Sequence, residues 1–130
     1  MPAHTRRVLC VEDDADTCAL LRIILERLDC EVTCASTPAE GLRLARSRAF
    51  DLYLLDQWLG ADGTGVGLCA QIRQFDAQTP IVFFSGMAHE SDRERALAAG
   101  AQAYLVKPND IDAVADTVRR LLNEGVYAYD

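Results

Sequence analysis

The chain has 130 residues, half of them hydrophobic and a quarter charged, so its length and composition fit a single globular domain. Its formal net charge of −7 argues against direct binding to nucleic acid, which requires a basic surface to replace the counterions of the phosphates. No apolar run approaches the roughly 20 residues that span a bilayer. The acidic residues 12–14 end the first apolar run too early for a signal peptide. We therefore expect a cytoplasmic protein without a membrane segment.

Short apolar runs alternate with stretches of helical period along the chain. We predict strands over residues 7–12, 31–35, 51–56, 80–84 and 101–106. We predict helices over residues 14–28 and 38–47, from a glycine-rich loop to about residue 74, before Gly100, and from residue 111 to about residues 123–125. Five such units predict a parallel sheet covered by helices on both faces, and an eight-stranded barrel would need about 250 residues. We expect one domain over residues 1–130, with its core at about residues 6–124.

Charged or hydroxyl side chains follow four of the five predicted strands. They are Glu12-Asp13-Asp14 after the first strand, Asp56 at the end of the third, Ser85 after the fourth and Lys107 after the fifth. Ligands of an open parallel sheet bind at the carboxyl ends of its strands, so we expect these side chains at one edge. Lys107 is the single lysine among 13 basic residues, which favours a position that needs a compact ammonium group on a flexible stem.

This set of residue types suits phosphate chemistry assisted by a metal ion. Clustered carboxylates repel one another unless a cation neutralises them, and oxygen ligands without cysteine or histidine suit Mg²⁺. A carboxylate can attack phosphorus to give an acyl phosphate, whose oxygens Lys107 and the Ser85 hydroxyl would bind. Each residue alone also has an ordinary explanation, such as carboxylates at a helix N-terminus. Only their joint placement favours the phosphate site.

Four segments of the chain carry these residues in a fixed order: Val8-Leu9-Cys10-Val11-Glu12-Asp13-Asp14, Leu54-Leu55-Asp56, Ser85-Gly86, and Gly100-Ala101-Gln102-Ala103-Tyr104-Leu105-Val106-Lys107-Pro108. The series resembles the response-regulator receiver domains of two-component signalling, and the resemblance covers essentially the whole chain. It implies a flavodoxin-like α/β fold, a doubly wound five-stranded parallel sheet of order 2-1-3-4-5 with five helices. It also implies a signalling phosphoacceptor that assists its own phosphorylation and slow dephosphorylation, and not an enzyme.

The resemblance assigns roles to individual residues. Asp56 would be the phosphoacceptor, and Lys107 would be the phosphate-binding amine, joined to Pro108 by a cis peptide bond. Ser85 would be the switch hydroxyl, and Tyr104 would be the aromatic residue whose rotation reports phosphorylation. The ligands of a Mg²⁺ cofactor would be Glu12, Asp13, Asp56 and the backbone carbonyl of Trp58.

The loop after Asp56 departs from the family pattern. Gly60 stands where the family usually has proline, and the alignment suggests one extra residue near Gly60-Ala61. Four glycines between residues 60 and 67 predict a mobile loop, because glycine loses more freedom on ordering than other residues. Trp58 and Met87 occupy the positions two residues beyond the acceptor and the switch hydroxyl. We expect these bulky apolar side chains to restrict water and to prolong the life of an aspartyl phosphate.

The resemblance implies two kinds of partner. A histidine kinase or a histidine phosphotransfer domain would donate the phosphoryl group. A downstream protein, or a second copy of the domain in a homodimer, would bind the face formed by the fourth helix, the fifth strand and the fifth helix. Because few residues follow the last predicted helix, we expect a stand-alone receiver without an output domain.

Two alternatives to a phosphorylated receiver remain. One is a receiver-like interaction module that is never phosphorylated, against which the complete set of site residues argues. The other is a small haloacid-dehalogenase-like phosphatase, since Asp14-Ala15-Asp16-Thr17 resembles the start of that family's motif. Cys18 stands where that motif needs threonine or valine, and the chain is too short for a cap domain.

The sequence contains five cysteines: Cys10, Cys18, Cys30, Cys34 and Cys69. They show no Cys-x-x-Cys spacing, and no second cluster of cysteine or histidine completes a metal site with Cys30 and Cys34. We predict that the cysteines are small buried apolar residues of a protein in a reducing compartment.

Overall fold

The structure is a computed structural model that describes residues 5–127. Five strands form one sheet: β1 (Arg6–Val11), β2 (Cys30–Ala35), β3 (Leu52–Leu55), β4 (Ile81–Ser85) and β5 (Ala103–Val106). Their order is β2-β1-β3-β4-β5, and every neighbouring pair is parallel. The predicted doubly wound sheet of order 2-1-3-4-5 is therefore confirmed.

One helix follows each strand. The helices are α1 (Ala15–Glu26), α2 (Pro38–Ser47), α3 (Gly65–Arg73), α4 (Glu90–Ala99) and α5 (Ile111–Tyr127), and a short 3₁₀ turn covers Gly60–Asp62. α1 ends at Glu26, two residues before its predicted end at residue 28, and α5 continues past its predicted end to Tyr127. A glycine inside a helix costs only about 1 kcal/mol relative to alanine, so Gly125 alone does not end α5.

Local capping chemistry fixes several helix ends. The Thr37 side chain accepts a hydrogen bond from the Glu40 N–H, with Pro38 as the first residue of α2, as predicted. Gly100 ends α4 in the left-handed region, at φ 116°, which confirms its prediction as a C-cap. Asp14, predicted as the first residue of α1, lies just outside the helix and caps it by accepting a hydrogen bond from the Thr17 N–H.

The core has two apolar layers, one on each face of the sheet. Alternate residues of β1 show the division, since Val8 and Cys10 pack against α1 and α5 while Leu9 and Val11 pack on the opposite face. All four residues are fully buried. Burial of both faces explains why β3 is apolar throughout and why β1 and β4 are apolar apart from Arg6-Arg7 and Ser85. It leaves the carboxyl edge of the sheet for polar side chains. Within residues 5–127, no helix is long and apolar enough to cross a membrane.

Candidate functional site

Three carboxylates meet where β1 and β3 end. The two strands are neighbours in the sheet, and the Asp56 N–H donates to the Val11 carbonyl at 3.0 Å, so Glu12, Asp13 and Asp56 are held side by side. One carboxylate oxygen of each lies within 4.8 Å of the others. Glu12 and Asp56 are buried, whereas Asp13 is exposed. An all-oxygen group at this spacing, open to solvent on one side, fits a hard divalent cation.

Lys107 bridges two of these carboxylates. Its Nζ donates to Glu12 Oε1 at 2.5 Å and to Asp56 Oδ2 at 3.0 Å. The Lys107 N–H donates to the Ser85 carbonyl at 2.8 Å, which ties the lysine to the end of β4. The bond from Lys107 to Pro108 is cis, as predicted. The amine therefore lies against the proposed phosphoacceptor.

The electrostatics of the site follow from its burial. Burial and a hydrogen bond with Asp56 raise the pKa of Glu12 and the Lys107 amine opposes the shift, so that the net pKa is about 7. Burial also disfavours the charged form of Lys107, but hydrogen bonds to Glu12 and Asp56 outweigh it and raise the pKa of the amine. Without a cation, Glu12 is therefore partly protonated near neutral pH, while Lys107 remains charged.

Ser85 and Tyr104 are joined through the backbone of Met87. Ser85 is fully buried at the end of β4, and its Oγ accepts a hydrogen bond from the Met87 N–H at 3.3 Å. The Tyr104 hydroxyl donates to the Met87 carbonyl at 2.6 Å. The Tyr104 ring is 5% exposed and stacks on Phe83, with ring centroids 5.7 Å apart. In this structure the predicted switch aromatic is thus already turned inward.

The glycine-rich loop is tied to the strand that precedes it. Gln57 is buried, its side-chain oxygen accepts from the Val66 N–H at 2.8 Å, and its carbonyl accepts from the Gly65 N–H at 2.9 Å. Trp58 and Thr64 form an antiparallel bridge, and the Thr64 hydroxyl caps α3. A 3₁₀ turn covers Gly60–Asp62, where the extra residue is expected, and φ is 74° at Gly60. The predicted mobility of the loop stays a prediction.

Two positioning residues of this loop escaped the sequence analysis. Gln57 had no signal beyond its place next to Asp56, since its role depends on a hydrogen bond across the loop. Gly65 was grouped with the other glycines, yet a Cβ there would lie 2.2 Å from the Asp56 carbonyl oxygen and 2.7 Å from the Phe83 ring. A glycine that begins a helix was the available signal for such a close approach.

The two residues predicted to control water differ in exposure. Trp58 is 60% exposed and Met87 is 37% exposed, although both are large and apolar. Exposed apolar side chains beside a polar site are available to cover a bound group or to contact a partner.

The chain matches the family model described as the response regulator receiver domain over residues 8–119. The chain belongs to this family. Among curated relatives of the receiver domain, the response regulator ArlR of Staphylococcus saprophyticus is 33% identical over 116 residues, which are 89% of this chain and 52% of ArlR. The KDP operon transcriptional regulatory protein KdpE of Escherichia coli is 38% identical over 112 residues, which are 86% of this chain and 49% of KdpE. The chain thus spans about half the length of these relatives.

Solved receiver structures share the fold. A CheY-like receiver domain protein from Methanospirillum hungatei superposes with a TM-score of 0.87 at 29% identity, covering 93% of this chain and 96% of that one. The receiver domain of the sensor histidine kinase PA1611 from Pseudomonas aeruginosa superposes with a TM-score of 0.82 at 25% identity, covering 92% of this chain and 99% of that one. That structure has a magnesium ion coordinated in its active site cleft.

Proposed function

We propose that this receiver domain accepts a phosphoryl group on Asp56 from a phosphohistidine donor in a Mg²⁺-dependent reaction. The observation that carries the proposal is the contact of the single lysine, Lys107, with Asp56 inside a group of three carboxylates. Structural ion pairs are common, but a buried acceptor carboxylate, a bridging amine and an open acidic edge together match what phosphoryl transfer needs.

The side chains of Glu12, Asp13 and Asp56, with the backbone carbonyl of Trp58, would hold the ion. Bound Mg²⁺ would neutralise negative charge on the transferring phosphoryl group. The Asp56 carboxylate attacks phosphorus, the P–N bond to the donor imidazole breaks, and the imidazole leaves with the electron pair of that bond. The products are an acyl phosphate on Asp56 and a free histidine. The Lys107 amine, which donates to Asp56 Oδ2 in this structure, would then donate to a phosphoryl oxygen.

The new charge is read through Ser85. Its hydroxyl is the buried polar group at the end of β4, and turning it toward the phosphoryl group exchanges the contact with the Met87 N–H for a stronger, charge-assisted one. The Met87 carbonyl also accepts a hydrogen bond from the Tyr104 hydroxyl. A displacement of the Met87 backbone would therefore move both the start of α4 and the inward-turned Tyr104 ring. The face formed by α4, β5 and α5 is thereby changed for a downstream protein or a second copy of the domain.

The donor would be a histidine kinase or a histidine phosphotransfer domain, and the domain would act in the cytoplasm, where kinases use ATP. The domain itself is a signalling phosphoacceptor that assists its own chemistry and turns over no external substrate.

We also propose that Trp58 and Met87 slow the attack of water on the acyl phosphate, because both offer large apolar surface beside the site.

Two other functions fit less well. In a phosphatase of the haloacid-dehalogenase type Asp14 would be the nucleophile, but its carboxylate caps α1, accepting from the Thr17 N–H at 3.0 Å and the Thr17 hydroxyl at 2.6 Å. A pure interaction module has no use for a buried Asp56 bridged by Lys107.

Binding of beryllofluoride with Mg²⁺ tests the proposal, because this phosphoryl mimic should change the fluorescence of Trp58, the single tryptophan. An Asp56→Asn variant should show no such change, and an equal change in both proteins would refute the assignment.

A further inference from the structure

Three cysteines from three elements meet beside the acidic site. Cys10 on β1 and Cys34 on β2 are register partners in the sheet, and the Cys18 thiol on α1 is the third member. Cys10 and Cys34 pack on the same face of the sheet, and Cys18 lines the same cavity as Cys34. The Arg22 guanidinium donates to Cys34 Sγ at 3.4 Å and is held there by a second bond to the Val32 carbonyl at 2.9 Å. The Cys34 sulfur thus accepts a hydrogen bond from a fixed cation and has two other thiols nearby.

The cluster opens to solvent through a cavity. Cys10, Cys30 and Cys69 are buried, whereas Cys18 and Cys34 are partly exposed and line the same cavity of about 400 Å³. The prediction that the cysteines are buried therefore holds for three of the five. The same cavity is lined by Arg22, Glu12 and Asp13, so a reagent that reaches Cys34 also reaches the wall of the acidic site.

The surroundings of Cys34 favour its reactive form. Thiolates, not thiols, attack electrophiles, and hydrogen-bond donors and cations stabilise them. Hydrogen bonding with the Cys10 thiol lowers the pKa of Cys34, burial opposes this, and Cys18 and Arg22 lower it as well, so that the net pKa is about 5. Burial and the nearby Cys34 sulfur raise the pKa of Cys18 to about 12. Cys34 is therefore the thiolate of the exposed pair, and Cys18 is its protonated neighbour.

We propose that Cys34 is a peroxide-sensitive thiol and that Cys18 resolves it to a reversible disulfide. The Cys34 thiolate attacks one oxygen of a hydroperoxide, the O–O bond breaks, and the alkoxide or hydroxide leaves and takes up a proton. Once Cys34 is a neutral sulfenic acid, the thiolate charge that helped to raise the pKa of Cys18 is gone. The Cys18 sulfur attacks the sulfenic sulfur as it gives up its proton, the S–O bond breaks, and the leaving hydroxide takes up that proton to form water. Two thiols lose two electrons in total; an organic hydroperoxide is reduced to an alcohol and water, and hydrogen peroxide is reduced to two waters.

Oxidation should weaken cation binding at the neighbouring site, a consequence that rests on the proposed function. In the reduced protein, the Cys34 thiolate partly neutralises Arg22. The disulfide carries no charge, so the guanidinium is left unbalanced in the cavity that Glu12 and Asp13 line. A nearby positive charge repels a divalent cation and attracts its carboxylate ligands. We expect the affinity for Mg²⁺ to fall by about threefold or more on oxidation.

The test has two independent readouts on the purified full chain. After treatment with hydrogen peroxide, mass spectrometry of peptides should show a Cys18–Cys34 disulfide that dithiothreitol reverses. A Cys18→Ser variant should instead trap the Cys34 sulfenic acid with a 1,3-dione, while the buried Cys30 serves as the internal control and reacts about tenfold more slowly. Equal reactivity of Cys34 and Cys30, or a disulfide that excludes Cys34, would overturn the proposal.

The second readout is a Mg²⁺ titration followed by Trp58 fluorescence before and after oxidation, with Cys34→Ser as the matched control. Peroxide should weaken Mg²⁺ binding in the native protein and leave that of Cys34→Ser unchanged. Unchanged affinity in the oxidised native protein would refute the coupling. An Asp56→Asn variant should still form the disulfide, because the redox pair does not use Asp56. The disulfide therefore tests the redox proposal alone, and phosphorylation of Asp56 tests the phosphoacceptor assignment alone.

Discussion

The Lys107 amine lies closer to Glu12 than to Asp56, at 2.5 Å from Glu12 Oε1 and 3.0 Å from Asp56 Oδ2. One cation thus balances two buried carboxylates. A divalent cation would compete with the lysine for the same negative charge. Under the proposed function, a bound metal ion would therefore free the lysine to turn from Glu12 toward a phosphoryl oxygen.

Replacing the lysine should separate folding from function. Lys107→Met leaves Glu12 and Asp56 buried without their counter-charge, so we expect a loss of about 1–3 kcal/mol in the free energy of unfolding without metal. Mg²⁺ should restore much of this loss, because it neutralises the same carboxylates, while phosphorylation of Asp56 stays impaired. Thermal unfolding with and without Mg²⁺ measures this, and Arg120→Met, which removes an exposed ion pair with Glu124, is the control. A loss that Mg²⁺ does not reduce would contradict the shared charge balance.

The pH dependence of metal binding should report Glu12. Its pKa is raised to about 7, so metal binding at lower pH must displace a proton, and the apparent affinity for Mg²⁺ should rise between about pH 6 and pH 8. Without metal, the contribution of Glu12 to stability is present below its ordinary pKa and is lost as the pH rises toward 7, because the folded state binds the extra proton. Glu12→Gln should flatten the pH dependence of both the Mg²⁺ affinity and the metal-free stability. Mg²⁺ titrations and unfolding curves at each pH, both followed by Trp58 fluorescence, measure the two quantities. An unchanged slope in this variant would show that another group titrates.

Two glycines of α3 offer a matched pair of variants. In Gly65→Ala the new Cβ meets the Asp56 carbonyl at 2.2 Å, so the helix or the acceptor must move. We expect a loss of about 2–4 kcal/mol in stability and slower phosphorylation of Asp56. In Gly67→Ala the Cβ meets only the Thr64 hydroxyl at 3.3 Å, and removing a glycine from a helix should be neutral or stabilising by up to about 1 kcal/mol. Denaturant unfolding compares them, and equal effects would contradict the close approach at Gly65.

The lifetime of the acyl phosphate should depend on Trp58 and Met87. Replacing both with serine removes apolar surface beside the site, so we expect dephosphorylation in Mg²⁺ to speed up by about tenfold. Decay of the phosphoprotein measures this, with Phe75→Ser as a control, since Phe75 is comparably exposed but packs with Arg46 away from the site. Slower decay in the double variant would refute the shielding role.

The apolar runs and strand ends predicted the parallel sheet and the edge where the polar side chains meet. The resemblance to receiver domains supplied the sheet order and the cis bond before Pro108. The sequence did not predict the roles of Gln57 and Gly65, which depend on how closely α3 approaches β3. The grouping of Cys34 with Cys10 was also out of reach, since it depends on the register of β1 with β2, and a shift by one residue would place the two on opposite faces.

Phosphorylation of the intact protein by acetyl phosphate tests the central claim most directly. With Mg²⁺, mass spectrometry should find one added phosphoryl group per chain, located on Asp56 and removed by hydroxylamine, as an acyl phosphate requires. The group should be absent without Mg²⁺ and in Asp56→Asn. A chain that gains no phosphoryl group, or an Asp56→Asn variant that gains it equally, would contradict the assignment of Asp56 as the acceptor.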